Sequence, residues 1–461
     1  MQNDFLRETK KKLSSAQLIP LSFFVAIVIG TILLMLPCAT AEGKSTGLIT
    51  ALFTATTSIC VTGLVVVDTY AHWTLFGHIV ILIMIQLGGL GIISVTSIVS
   101  LAIYKRFSLE QSVILHDAFN LDSVSGLMKF LSNVFKGTFI VEGIGALIYM
   151  ISFVPKFGPV GIWYAVFTSI SAFCNAGIDI LGPDSLVSYN ADSVVLINTM
   201  ALIILGGLGY VVWFDFINGV KEGRKRGYSP KIILKRISEH SKLVINVTVF
   251  LILTGALGVF IMEYSNPDTI GNMSLGGKII NSIFQSVTFR TAGFAAVPQG
   301  NLTEATAVMG SLFMFIGGSP VGTAGGVKTV TFFVVILSAV TFIRNRNENV
   351  VFGRRITSDL VHKASSIIAV SFMVTFILLI LLLFIEKVDL VDGVYEMFSA
   401  TATVGLSRGI TPLLGRPGRL IIIIAMYLGR IGPISMAFFF NTSALKKRNN
   451  ISYAKGNFFV G

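Results

Sequence analysis

Charge is what this 461-residue sequence has least of. Asp, Glu, Lys and Arg make up 13% of it against 53% hydrophobic residues, and the mean hydropathy is +0.81. A soluble domain carries about twice that charged share, so a water-soluble globular chain is excluded and an integral membrane protein is expected. Cysteine is scarce too. Cys38, Cys60 and Cys174 show neither metal-ligand spacing nor a disulfide framework. The five histidines are scattered, and no HExxH, His–Ser or paired-Asp arrangement recommends an enzyme.

What is present is long apolar runs. Thr69 to Tyr104 contains no Asp, Glu, Lys or Arg, which exceeds the roughly 20 residues a helix needs to cross hydrocarbon. Comparable runs occupy 193–218, 306–343 and 417–445, with shorter ones near 20–37, 134–155, 243–262 and 365–385. The first resembles a signal peptide, with Lys10–Lys12 before it and Ala39-Thr40-Ala41 after it. The repeat described next needs it as a span. The net charge of +12 could suggest nucleic acid, but 23 of the 35 Lys and Arg fall in 1–19, 105–133, 219–241, 344–363 and 446–461. Eight crossings with both termini inside put all five segments on the cytosolic side, as the positive-inside rule favours. The basic excess is topological, and no nucleic-acid partner is expected.

Four stretches align: ALFTATTSICVTG (51–63), AVFTSISAFCNAG (165–177), NSIFQSVTFRTAG (281–293) and GVYEMFSATATVG (393–405). Their final glycines, Gly63, Gly177, Gly293 and Gly405, follow at spacings of 114, 116 and 112. A period that regular signals an internal repeat. Each unit has an apolar helix, a run too short to span, the glycine interruption and a second, longer apolar helix. A marker supports the register: LGGLG at 87–91 and 205–209, IGG at 316–318 and LGRIG at 428–432. Two spans per unit return the chain to its starting side, so all four units face alike and can close around an axis along the membrane normal. The expected fold is an all-α membrane protein of four parallel helix–pore-loop–helix repeats, eight transmembrane helices around a central pore.

Irregular backbone at membrane depth is tolerated only where protein buries it or a watery cavity meets it. Glycine permits the backbone angles and close approach that aim carbonyls inward, and carbonyl rings replace the hydration shell of a monovalent cation. The short helices would turn their partially negative C-terminal ends to the same axis. Tight helix packing is the ordinary reading of a single glycine; four in register favour the pore.

The stretches VTG, NAG, TAG and TVGLS, each closing a half-helix, resemble the Trk/Ktr/HKT superfamily of potassium transporters, closest to its Ktr-type membrane subunit (KtrB type). The resemblance maps a cation-binding filter, mainly of backbone carbonyls, onto Val61, Thr62, Gly63, Asn175, Ala176, Gly177, Thr291, Ala292, Gly293, Thr403, Val404 and Gly405. Only the fourth stretch approaches the TVGYG of potassium channels. In relatives a serine at the first filter glycine goes with sodium transport, so Gly63 leans toward potassium.

The third unit carries GGSPVGTAGGVKT, residues 317–329. Its five glycines and one proline would cost a regular helix several kcal/mol, at about 1 per glycine and about 3 for proline, so a loop inside the membrane is expected. A phosphate-binding loop is the rival, but no strand precedes it and its flanks are apolar. Arg430 should lie at the same depth, where an arginine faces a cavity or a partner; Glu142 is one candidate partner. The superfamily carries a gating loop and an arginine at these places, which implies a gate of Gly317, Gly318, Gly322, Gly325, Gly326, Lys328 and Arg430. Asp68 and Asp179 follow two filter glycines and read as solvated loop carboxylates, with cation concentration at the mouth as the alternative.

The expected layout is a cytosolic tail (1–19), repeats at 20–104, 134–218, 242–343 and 365–445, cytosolic linkers at 105–133, 219–241 and 344–364, and a cytosolic tail (446–461), with the gating loop at 317–326. The resemblance implies a homodimer in the plasma membrane, in contact with lipid, seated on a cytosolic ring of RCK-type (KtrA-like) regulatory subunits that bind ATP or ADP. KGNFFVG at the C terminus is a candidate contact for such a subunit. No cofactor is expected on this chain; K+ is the transported ion, and sodium stimulation is a family property. The alternatives are the potassium-binding subunit of an ATP-driven pump and a less selective Na+/K+ transporter.

Overall fold

The computed structural model describes residues 15–91 and 127–432. The KGNFFVG contact and most of the first linker lie outside the described residues. A long helix α1 (Ser15–Leu34) leads to a short helix α2 (Leu48–Ile59), a glycine turn and α3 (Leu75–Leu90). The same order occurs in α4 (Leu127–Phe157), α5 (Val160–Cys174) and α6 (Ser193–Gly207), after which come α7 (Tyr210–Lys225) and α8 (Pro230–Arg236). It occurs again in α9 (Glu239–Glu263), α10 (Leu275–Phe289) and α11 (Glu304–Phe315), with α12 (Thr329–Ile343) beyond a loop. The last passage is α13 (Ser358–Ile385), α14 (Leu390–Thr401) and α15 (Arg416–Ile431). The helices after each turn start where a side chain accepts an orphan backbone N–H: Thr74 for α3, Asp192 for α6 and Thr303 for α11. α15 borrows its acceptor from outside, as Gly418 N donates to Glu386 Oε1 at 3.0 Å.

Among the described residues three helices are long and apolar enough to cross a membrane alone, within α4, α9 and α13, and α6 with α7 makes a fourth as a bent pair. The solvation pattern is inverted relative to a soluble bundle. Ile140, Ile144, Leu147 and Ile151 form an exposed apolar stripe on α4, as Leu253, Leu257 and Ile261 do on α9, while Thr56, Thr57, Ser58, Thr168, Ser169, Ser171, Ser286, Thr288 and Ser399 are buried. Hydrocarbon accepts the first set. All of the second set but Thr168 have a hydrogen-bond partner for the hydroxyl, for example Thr56 Oγ1 to Leu52 O (2.7 Å) and Ser58 Oγ to Thr54 O (2.6 Å).

Packing follows a cyclic order. The long helices α1, α4, α9 and α13 lie against the short helices α2, α5, α10 and α14 that follow them. Each helix after a turn crosses to the next short helix: α3 packs on α5, α6 on α10, α11 on α14, and α15 returns to α2. The short helices are 12 to 15 residues, at most about 22 Å long, and sit at the centre of this ring.

One expectation is corrected. The apolar run 193–218 is not one helix: α6 and α7 meet at 95°, with Gly209 at φ +86 at the corner. Gly91 ends α3 and Gly432 ends α15, each at φ +83. Left-handed backbone of this kind terminates helices and is open to glycine, so the marker used above for register is also a helix stop. The linker after α12 carries a short hairpin, in which β1 (Val350–Val351) pairs antiparallel with β2 (Arg354–Arg355). Phe352 and Gly353 both have positive φ, the requirement of a tight two-residue hairpin turn.

Candidate functional site

The four short helices end alike. Two places before each glycine the backbone is left-handed, at Val61 (φ 55), Asn175 (φ 59), Thr291 (φ 62) and Thr403 (φ 53). The glycines follow at φ 106, 63, 83 and 97 for Gly63, Gly177, Gly293 and Gly405. For a β-branched residue this conformation is strained, at about 1–3 kcal/mol, so the surroundings must hold it. Hydroxyls and carbonyls of the last helical turn do so. Thr62 N donates to Thr57 O, Ala176 N to Ser171 O and Val404 N to Ser399 O, each at 2.8 Å, and Ala292 N to Thr288 O at 3.1 Å. Gly63 N donates to Thr57 Oγ1 and Gly405 N to Ser399 Oγ, both at 3.0 Å. Thr288 Oγ1 donates to Phe294 O at 2.7 Å, and Ser171 Oγ to Ile178 O at 2.5 Å. The Ser/Thr-rich helix ends thus serve as backbone clamps.

The four segments meet. A Cβ placed on Gly63 would lie 2.6 Å from the Ala176 carbonyl oxygen, one on Gly177 2.6 Å from that of Ala292, and one on Gly293 2.6 Å from that of Val404. One on Gly405 would strike the Thr62 carbonyl oxygen and come within 2.7 Å of the Gly63 Cα. Each glycine therefore abuts the carbonyl of the next segment, and the fourth closes on the first. The side chains of Thr62, Ala176, Ala292 and Val404 are fully buried. Side chains other than hydrogen at the glycine positions would fill the centre.

On one side of this ring lies a cavity of about 160 Å3 lined by the four glycines and by Asp68, Asp179, Gln299 and Ser407. Asp68 Oδ1 accepts from Tyr70 N at 2.9 Å and Asp179 Oδ1 from Leu181 N at 3.1 Å. Both residues line the shared mouth. Desolvation there, helped by the charge of Asp68, pushes the Asp179 carboxyl up to about 6 against the bonds from Ser185 and Leu181 that lower it.

Behind the ring lie polar residues that sequence reasoning passed over. Tyr395 Oη donates to Gln299 Oε1 at 2.8 Å, and Gln299 also bonds Gln285. Glu396 on α14 accepts from Ser407 Oγ at 2.7 Å and from the Thr411 hydroxyl. Arg408 bonds Asp392 at 2.6 Å and reaches Leu302 O at 2.9 Å, strapping the fourth segment to the third. The EMFSATATVGLSR stretch held the clue, since its Glu396 is a buried carboxylate in the middle of a short apolar helix.

On the other side, against residues that precede the glycines, runs the non-helical segment 317–328. It contains Gly317, Gly318, Gly322, Gly325 and Gly326 and ends at Lys328. Ser319 N donates to Gly207 O (2.9 Å), Thr323 N to Gly206 O (3.1 Å) and Tyr210 N to Val321 O (3.0 Å), so the segment is seated on the α6–α7 break. A Cβ on Gly325 would lie 2.9 Å from Ala402 O. Lys328 Nζ donates to Ala324 O at 2.6 Å, folding the segment back on itself. Arg430 Nη1 donates to Thr323 O at 2.7 Å and Nη2 to Gly88 O at 2.5 Å. The arginine thereby joins this segment to α3.

Glu142 is not the partner of Arg430. Its carboxylate accepts from Gln86 Nε2 at 3.1 and 3.2 Å and has the Cys174 thiol 3.9 Å away. Backbone carbonyls answer the guanidinium instead, and a carbonyl leaves no mark in composition. A second arginine went unnoticed: Arg290 is buried at the end of α10, next to Thr291, with Nη2 3.4 Å from Gly317 O. Among the described residues no group of three His, Cys, Asp or Glu could hold a metal ion.

Comparison with known proteins gives a consistent picture. Residues 8–450 match the family model for TrkH, described as cation transport protein. Ktr system potassium uptake protein B of Bacillus subtilis (strain 168) is 38% identical over 446 residues, covering 96% of each chain. Potassium/sodium uptake protein NtpJ of Enterococcus hirae is 33% identical over 460 residues, covering 99% of each. Among solved structures, the crystal structure of the potassium transporter TrkH from Vibrio parahaemolyticus matches with a TM-score of 0.74 at 14% identity, over 94% of this chain and 86% of that one.

Proposed function

Because this chain belongs to the TrkH family of cation transport proteins, we propose that it takes up K+ across the plasma membrane through the ring formed by Gly63, Gly177, Gly293 and Gly405. The observation that carries the proposal is the closed cycle of glycine-to-carbonyl contacts. A dehydrated alkali ion needs several oxygens at once, and carbonyls held by a strained, hydroxyl-clamped backbone supply them without reorganisation. The cyclic packing of long, short and second helices supports four like-facing repeats with eight crossings, the inner helices being shortened by their glycine stops. The 317–328 segment would then be a gate on the cytosolic side, with the Arg430 charge raising the barrier to cations.

Relatives named as parts of a Ktr system support a membrane subunit that works with partner subunits; the full reading is a homodimer with both termini cytosolic, regulated by a separate cytosolic subunit of the RCK type that binds ATP or ADP. A second reading is a less selective Na+/K+ pathway. It is favoured by NtpJ, a full-length relative named for both ions, and by the departure of three segments from TVGYG. Tracer rubidium and sodium flux in proteoliposomes, comparing the native chain with Gly63→Ser, tests both. Potassium selectivity predicts that the serine raises sodium flux relative to rubidium. Equal fluxes before and after substitution favour the second reading, and no flux of either ion, with the regulatory subunit present, defeats both.

A further inference from the structure

We propose that the Asn175 carboxamide couples the 317–328 segment to the ring, so that displacing the segment loosens the second glycine turn; the idea rests on the pore and gate reading above. Asn175 is 1% exposed, caps α5, and carries the left-handed backbone of its turn. The Thr323 hydroxyl lies 3.1 Å from Asn175 Oδ1 and 3.1 Å from Phe173 O, and shares its one proton between them. Thr323 is itself pinned, its N–H donating to Gly206 O and its carbonyl accepting from Arg430. The segment cannot leave without stripping the hydroxyl from the filter residue.

The other end of the carboxamide meets the same segment across a small cavity. Asn175 Nδ2, Arg290 Nε and Thr248 Oγ1 are all buried without a hydrogen-bond partner among the described residues. All three residues line one cavity of about 10 Å3, walled on the gate side by Gly318. That is about the space of one water. A water accepting from Asn175 Nδ2 and Arg290 Nε and donating to Thr248 Oγ1 satisfies the three together. Movement of Gly318 opens this cavity as movement of Thr323 frees Oδ1. The other turns carry Val61, Thr291 and Thr403 at the equivalent place, none with a carboxamide, so among the four turns the second meets the segment through a side-chain amide.

The test compares Thr323→Val, which keeps the shape and removes the hydroxyl, with Thr323→Ser, which keeps the hydroxyl. Two readouts are used: the sodium-to-rubidium flux ratio in proteoliposomes, and amide hydrogen exchange of residues 171–177 against 57–63 in purified protein. Loss of one buried hydrogen bond predicts about a twofold to tenfold rise in the ratio and in exchange at 171–177 for Thr323→Val. Residues 57–63 should be unchanged and Thr323→Ser close to native. Asn175→Ala should show the same effect, and the double variant no more than Asn175→Ala alone. Equal exchange in both segments, no change in either readout, or additive single variants would overturn the coupling while leaving the pore reading in place. If the native chain carries no flux, the pore reading fails first and the coupling with it.

Discussion

Gly405→Ala isolates the steric part of the ring from the backbone part, because the chain supplies a matched control four residues on. Gly405 and Gly409 have the same φ of +97, so alanine at either pays a similar left-handed penalty, about 1–3 kcal/mol. Their surroundings differ. At Gly409 a Cβ meets nothing within 4 Å, whereas at Gly405 it meets the Thr62 carbonyl oxygen and lies 2.7 Å from the Gly63 Cα. Real Cβ contacts are essentially never under 3.0 Å, so the first segment must shift and its carbonyl leaves the ring. A misplacement that costs the bound ion one oxygen contact, at about 1.4 kcal/mol per factor of ten, lowers rubidium flux at least about tenfold. Both variants should lose similar thermal stability in detergent, while only Gly405→Ala loses flux in proteoliposomes at matched reconstitution. Equal flux losses in the two would refute the argument, since strain alone would then suffice.

Other outcomes follow from the same contacts. Arg430→Gln removes a charge and at least one guanidinium–carbonyl bond, each worth about 1.5–3 kcal/mol; unstimulated rubidium flux should rise about tenfold, measured without any regulatory subunit. Asp179 carries its charge above about pH 6, so lowering the pH on the mouth side from neutral to below that value discharges it and should weaken uptake at limiting ion concentration. Asp179→Asn should start weak and stay flat across that range. Glu142→Ala leaves the Gln86 amide without its acceptor and should lower stability by about 1–3 kcal/mol, seen as a lower melting midpoint. Since Glu142 and Arg430 do not bond, the flux phenotype of Arg430→Gln should be the same with or without that change.

The sequence by itself determined the membrane class, the places of the four glycines and the hydroxyl-rich helix ends before them. Those features are local: a left-handed residue needs glycine or a clamp within one turn, and Thr57, Ser171, Thr288 and Ser399 are near enough in the chain to be read with their turns. The break at 317–328 was equally local, being written in glycine and proline. The stop at Gly209 was visible in the LGGLG marker but indistinguishable from close helix packing until a 95° bend was seen.

Only the tertiary structure decided which segment neighbours which, and what Arg430 and Asn175 touch. The contact of Gly405 with Thr62, and that of Arg430 with Gly88, join residues more than 300 positions apart. Both are made to backbone carbonyls, which every residue carries. No choice of side chain announces such a partner, so helix packing had to bring it into place before it could be known.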